Sequence, residues 1–188
     1  MRRALPLALA LVLAAGCGSS GGAKITSKRL SARVLQQGDL PTGFTEFTNS
    51  RQATVDTHPG PRADPKRFGR IDGWIARFKR GGTAETRGAL VVESRVDLFP
   101  SASAAKKDLS AYEGELTATV ANFAGRRLPD PAIGAAARAY AYRQGSVRFY
   151  LVAWREANAT ASVLAEGFSL GPEVAISLAR AQEHRLAP

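Results

Sequence analysis

Gly167-Phe168-Ser169-Leu170-Gly171 has the G-x-S-x-G spacing of a serine-hydrolase nucleophile elbow, and it falls between a strand-like run and a helix-like run, where an elbow belongs. Such a serine attacks an acyl carbon, with a histidine in hydrogen-bond reach as base and an acid behind that histidine. In the hydrolase fold both partners follow the serine in the chain. Only His184 does so here, on the same predicted helix and roughly 20 Å along its axis. The same letters also read as a helix start, with Ser169 or Gly171 as cap, Pro172 in the first turn and Glu173 near the positive end of the helix dipole. The helix start is the expectation, and a small hydrolase using Ser169 is an alternative.

Other reactive types are sparse. His58 and His184 are the two histidines, and neither has a ligand-like neighbour at metal spacing, so no metal site and no cofactor are expected. Glu93 and Asp97 alternate with Arg95 and face Arg77, which reads as cross-strand ion pairing on a solvated face rather than a glycosidase-like acid pair. Arg62, Lys66, Arg67, Arg70, Arg77, Lys79 and Arg80 form the densest basic stretch, a candidate patch for an anionic surface or polymer with Trp74 inside it. Tyr140, Tyr142, Tyr150 and Trp154 are candidates for an aromatic cleft between strands and a helix, with Tyr140, Tyr150 and Trp154 as its ligand-contacting members. Ordinary core is the competing reading for these aromatics.

These residues must be positioned by elements with legible periods. Residues 27–44 read as a short helix with Leu30, Val34 and Leu35 on one side, stopped by Gly38 and Pro41, and a poorly patterned strand follows near 44–55. From Gly73 the alternation sharpens: Trp74, Ala76 and Phe78 share one face, and after a Gly-Gly-Thr turn Leu90, Val92, Val96 and Leu98 share another. That is an antiparallel hairpin. Ala105, Leu109, Tyr112, Leu116, Val120 and Phe123 then recur at helical spacing behind a Ser101 or Ser103 cap. Three strands follow at 137–144, 147–155 and 159–166, turning at Gly145-Ser146 and Ala157-Asn158; the middle one is apolar on both faces and so interior. Residues 172–186 form the last helix, with Ala175, Leu178, Ala179, Gln182 and Leu186 on one side.

The amino terminus places the chain. Arg2 and Arg3 precede an apolar run from Ala4 to Ala15, too short to span a bilayer and suited to an export signal. Ala14-Ala15-Gly16-Cys17 resembles a bacterial lipobox, whose cysteine is lipidated after cleavage before it. Cys17 is the single cysteine of 188 residues, so no disulfide and no thiol nucleophile are expected beyond it. Residues 1–16 are thus read as a lipoprotein signal peptide, 17–24 as lipidated Cys17 and a Gly/Ser tether, and 25–188 as one domain. Net charge is +10; without Arg2 and Arg3 the balance is 24 basic against 16 acidic residues, +8. A basic domain beside a membrane is drawn to anionic lipid or wall polymer, and no nucleic-acid partner is expected of an exported one.

The stretches "GDLPTGF", "LFPSASAA" and "AIGAAARAY…G…VAWREANA" together resemble a loose group of actinobacterial-type lipoproteins of uncharacterised function. These look similar to the helix–sheet–helix sandwich of photosystem extrinsic subunits and mycobacterial lipoproteins, and more distantly to sensor domains of bacterial receptor kinases, whose cysteines are absent here. Ala157 stands where a turn glycine is commoner. The resemblance implies a fold and an envelope setting and carries over no catalytic residue. The expectation is therefore one α+β domain: a twisted, mainly antiparallel sheet of about five or six strands, packed by the long helix and the C-terminal helix. It is tethered to the outer face of the cytoplasmic membrane. The expected function is a non-enzymatic binding or accessory module, contacting an envelope protein, lipid or wall polymer, with electrostatic binding of an anionic polymer as a further alternative.

Overall fold

The computed structural model describes residues 24–52 and 68–187. Cys17, His58, Arg62, Lys66 and Arg67 lie outside the described residues. Seven strands form one antiparallel sheet: β1 (Thr45–Arg51), β2 (Asp72–Lys79), β3 (Val91–Leu98), β4 (Arg126–Leu128), β5 (Ala136–Gln144), β6 (Val147–Glu156) and β7 (Ala159–Gly167). Their order across the sheet is β1-β2-β3-β7-β6-β5-β4. Two helices, α1 (Ala102–Asn122) and α2 (Pro172–Leu186), complete a single α+β domain. The extra strand beyond the expected five or six is β4, three residues hidden among Gly, Arg and Pro, too short to display a period.

Register decides what each face holds. Trp74 pairs with Val96, Phe78 with Val92, Val92 with Ala165 and Val152 with Val163, so one face carries Phe78, Val92, Val96, Val152, Val163 and Trp154. This face packs α2 and the N-terminal segment into the larger core. The opposite face offers Tyr140, Leu151 and Ala153 of β5 and β6 to Leu109, Tyr112, Leu116 and Val120 of α1. Each such side chain removed from water contributes about 1.5–3 kcal/mol. β7, the fourth strand of seven, is largely buried on both faces because helices cover both sides of it, and β6 is likewise interior.

Ser101 Oγ accepts from Ala104 N at 3.1 Å and caps α1, and the expected apolar stripe is buried from Ala105 to Val120. Phe123 is not part of it: it sits past the helix end and is 37 % exposed. The helix expected before Pro41 is instead two 3₁₀ turns, Leu30–Arg33 and Gln37–Asp39, separated by extended Val34. Leu30, Val34 and Leu35 are buried all the same. Three buried polar side chains tie this segment down. Asn158 bonds Ile25 N, Ile25 O and Phe99 O; Ser94 Oγ accepts from Leu35 N and donates to Gln182 Oε1; Gln182 Nε2 donates to Arg95 O. Buried amides and hydroxyls are stable only when so paired.

Candidate functional site

With that segment tied down, a cleft of about 810 Å³ opens between residues 39–44 and α2, and Arg185 of α2 pairs with Asp39 at 2.7 Å. Leu40, Pro41 and Phe44 form one wall, Val174 and Leu178 of α2 the other, and Ala89 and Val92 the floor. Asp39, Arg80, Arg87 and Glu173 are its charged lining residues. The β2–β3 connection is held in place by Arg80, whose guanidinium lies 5.3 Å from the centre of the Phe44 ring and donates to Ala89 O and Arg87 O. Apolar walls with a few charged lining groups suit an apolar or amphipathic ligand better than a sugar or an ion.

The G-x-S-x-G stretch does not line this cleft but packs beside it, against Gly88, which does. Gly88 N donates to Ser169 O at 2.8 Å, bringing the β2–β3 connection against the end of β7. A Cβ on Gly167 would lie 2.5 Å from Gly88 O, so only glycine permits that approach. Gly171 is the cap residue of α2, with no side-chain cap bond, followed by Pro172 and by Glu173 in the first turn. The helix start stands, but the Ser169 hydroxyl is not its cap: it is exposed and makes no hydrogen bond among the described residues, and His184 lies in the last turn of α2.

The aromatic candidates are not brought together. Tyr140 pairs with Leu151 and Tyr150 with Ala141, which sets Tyr140 and Tyr142 on the α1 face and Tyr150 and Trp154 on the α2 face. Tyr140 and Trp154 are buried side chains of two separate cores, and Tyr150 is half-buried. Tyr142 instead stacks on Phe149 at 4.7 Å between ring centres. Burial, followed by the nearby Glu166 carboxylate, pushes the Tyr142 hydroxyl well above its ordinary value.

The basic stretch disperses too. Among its described members, Arg70 is buried against Asp97, Arg77 pairs with Glu93 at 2.7 Å, Arg80 bonds main-chain carbonyls, and Lys79 lies over the Phe47 ring. The ion pairing expected of Glu93, Arg95 and Asp97 is present, yet the face is not solvated: Asp97 is fully buried and Arg95 is 8 % exposed. Nearby, the Arg51 hydrogen bond holds the Asp72 carboxyl below the usual carboxylate range against the opposing effect of burial. Trp74 is half-buried against the larger core. Among the described residues no group of three or more His, Cys, Asp or Glu could hold a metal, and no helix is long and apolar enough to cross a membrane.

No family model matches the chain, and no curated protein does. Among solved structures, the extracellular domain of PknH from Mycobacterium tuberculosis is similar, with a TM-score of 0.64 over 87 % of this chain and 100 % of that one, at 12 % identity. At that identity the likeness is one of fold: the sheet and helices described above form an architecture also used by an extracellular domain.

Proposed function

We propose that this protein is a non-enzymatic, extracytoplasmic binding or sensory module that takes an apolar or amphipathic ligand in the cleft between α2 and residues 39–44. The cleft itself carries the reading: about 810 Å³ with walls of Leu40, Phe44, Val174 and Leu178 is the size and lining of a small-molecule site. The fold shared with an extracellular domain supports the compartment. The signal-like apolar run behind Arg2 and Arg3 and the lipobox-like stretch at Cys17 support reading the module as anchored on the outer face of the cytoplasmic membrane. Envelope protein, lipid and wall polymer are the partner classes within reach of such an anchor.

Native mass spectrometry of the chain, released in mild detergent after exposure to envelope lipid extract, tests the site. A retained apolar adduct that Val174→Trp or Leu178→Trp abolishes supports the cleft; an adduct that survives both substitutions places the ligand elsewhere. Cys17→Ser tests the anchor separately: the variant leaves the membrane fraction if Cys17 is lipidated and stays if it is not.

A further inference from the structure

We propose that the free end of the β5–β6 hairpin is a binding site for a phosphate group, formed by Arg126, Arg143 and Arg148 around Ala141 and Tyr150. The site is independent of the cleft and shares no residue with it. Strand pairing sets Arg143 directly opposite Arg148, Arg126 opposite Ala141, and Ala141 opposite Tyr150. The two-residue period then puts all three arginines and Tyr150 on the α2 face. Side chains directly opposite start about 5 Å apart and diagonal ones about 7–8 Å apart, so the three guanidinium groups reach a common point above the Ala141 methyl. A hollow of about 190 Å³ lies there, with half-buried Tyr150 as a wall.

These arginines lack the carboxylate partners that most arginines of the sheet have, and they lie together. Arg51 faces Asp72, Arg77 faces Glu93, Arg95 faces Asp97, and Arg127 and Arg138 share Glu113 and Asp130. Among the described residues, Arg126, Arg143 and Arg148 have no such neighbour; the one side-chain bond they make is from Arg143 Nη2 to Gly145 O at 3.3 Å. Like charges held directly opposite each other destabilise a strand pair. An oxyanion between them turns that repulsion into charge-assisted bonds, and the guanidinium fork matches phosphate geometry with two parallel N–H donors. The hollow admits a phosphate and its first ester carbons, and Tyr150 offers those carbons an apolar surface. A phosphate ester is the ligand class, whether it comes from a lipid headgroup or from a soluble or polymer-borne phosphate.

The test follows the arginine Nε–H signals of the ¹⁵N-labelled full chain in non-ionic detergent, titrated with inorganic phosphate against chloride at constant ionic strength. Saturable shifts at Arg126, Arg143 and Arg148 are expected, with affinity falling at least about tenfold in Arg143→Gln/Arg148→Gln. In chloride that double variant should melt no lower than the parent, since it relieves repulsion, and phosphate should raise the melting temperature of the parent alone. Arg143→Lys keeps the charge and loses the fork, so it should bind between the two. Short-chain phosphatidylglycerol, with phosphatidylcholine as control, identifies the source: phosphatidylglycerol displacing phosphate from these signals points to a lipid headgroup, and failure to displace it points to soluble or polymer phosphate. Shifts that do not saturate, that chloride reproduces, or that the double variant retains at equal affinity would overturn the site.

Discussion

Two groups of arginines in one sheet behave oppositely. Around Asp97, Arg70 has a side chain 4 % exposed, Arg95 one 10 % exposed, and the carboxylate between them is fully buried. At the far end of the sheet, Arg126, Arg143 and Arg148 are exposed and, among the described residues, without carboxylate partners. The inner group is structural: it ties the chain entering β2 to β3, and Gly73 has no side chain because a Cβ there would lie 2.7 Å from Asp97 Oδ1 and 3.1 Å from Arg70 Nη1. The outer group is a cluster of positive charge without carboxylate partners among the described residues. A net charge of +10 says that surplus arginines exist; only their partners say which are free to bind.

Four changes break or sharpen this contrast. Asp97→Asn leaves buried guanidinium groups without their anion and should cost about 3–5 kcal/mol in urea unfolding. A loss below about 1 kcal/mol would mean the inner pair is solvated in practice and the contrast unsound. Gly73→Ala should cost about 1–3 kcal/mol, because the added methyl forces the same pair apart without removing a charge.

Glu166 lies between the extremes. Burial, then the Glu93 carboxylate, pushes its pKa above the ordinary 4.5, with Arg77 opposing. The fold therefore favours the neutral form: that stability is complete below about 4.5 and is lost as pH rises through the raised native value. Glu166→Gln should remove this loss, so its stability relative to the parent should rise between pH 4 and pH 7, read from melting temperatures across that range; a constant difference would show that the group titrates normally. Ser169→Ala should be smallest, within about 0.5 kcal/mol of parent, since the exposed hydroxyl bonds nothing and Gly171 is the cap. A loss of about 1 kcal/mol would restore Ser169 as the cap, and a lost activity with the fold intact would restore the hydrolase alternative.

Much of this was legible before any coordinates. The β2–β3 hairpin, the α1 stripe from Ala105 to Val120 and the α2 stripe from Ala175 to Leu186 all follow from periods of two and 3.6 residues. The mistaken aromatic cleft was legible too. A two-residue turn at Gly145-Ser146 pairs Gln144 with Val147, hence Tyr140 with Leu151, which sends Tyr150 and Trp154 to the other face; the same count sets Arg143 against Arg148. The cleft between α2 and residues 39–44 had no such signal, since its walls come from residues near 40, 89 and 175.

Sequence alone determined the longer elements, β2, β3, β5 to β7, α1 and α2, and most of their inward faces, because side-chain periodicity is a local property of backbone geometry. It also determined the surplus of positive charge and the glycine at 167. The tertiary structure decided that β3 lies beside β7, pairing Val91 with Glu166. From that long-range pairing follow the burial of Asp97, the close approach that Gly167 permits, and the cleft. Burial and pairing of a charge depend on neighbours distant in the chain, and strand order, which brings those neighbours together, is set by the packing of the whole domain.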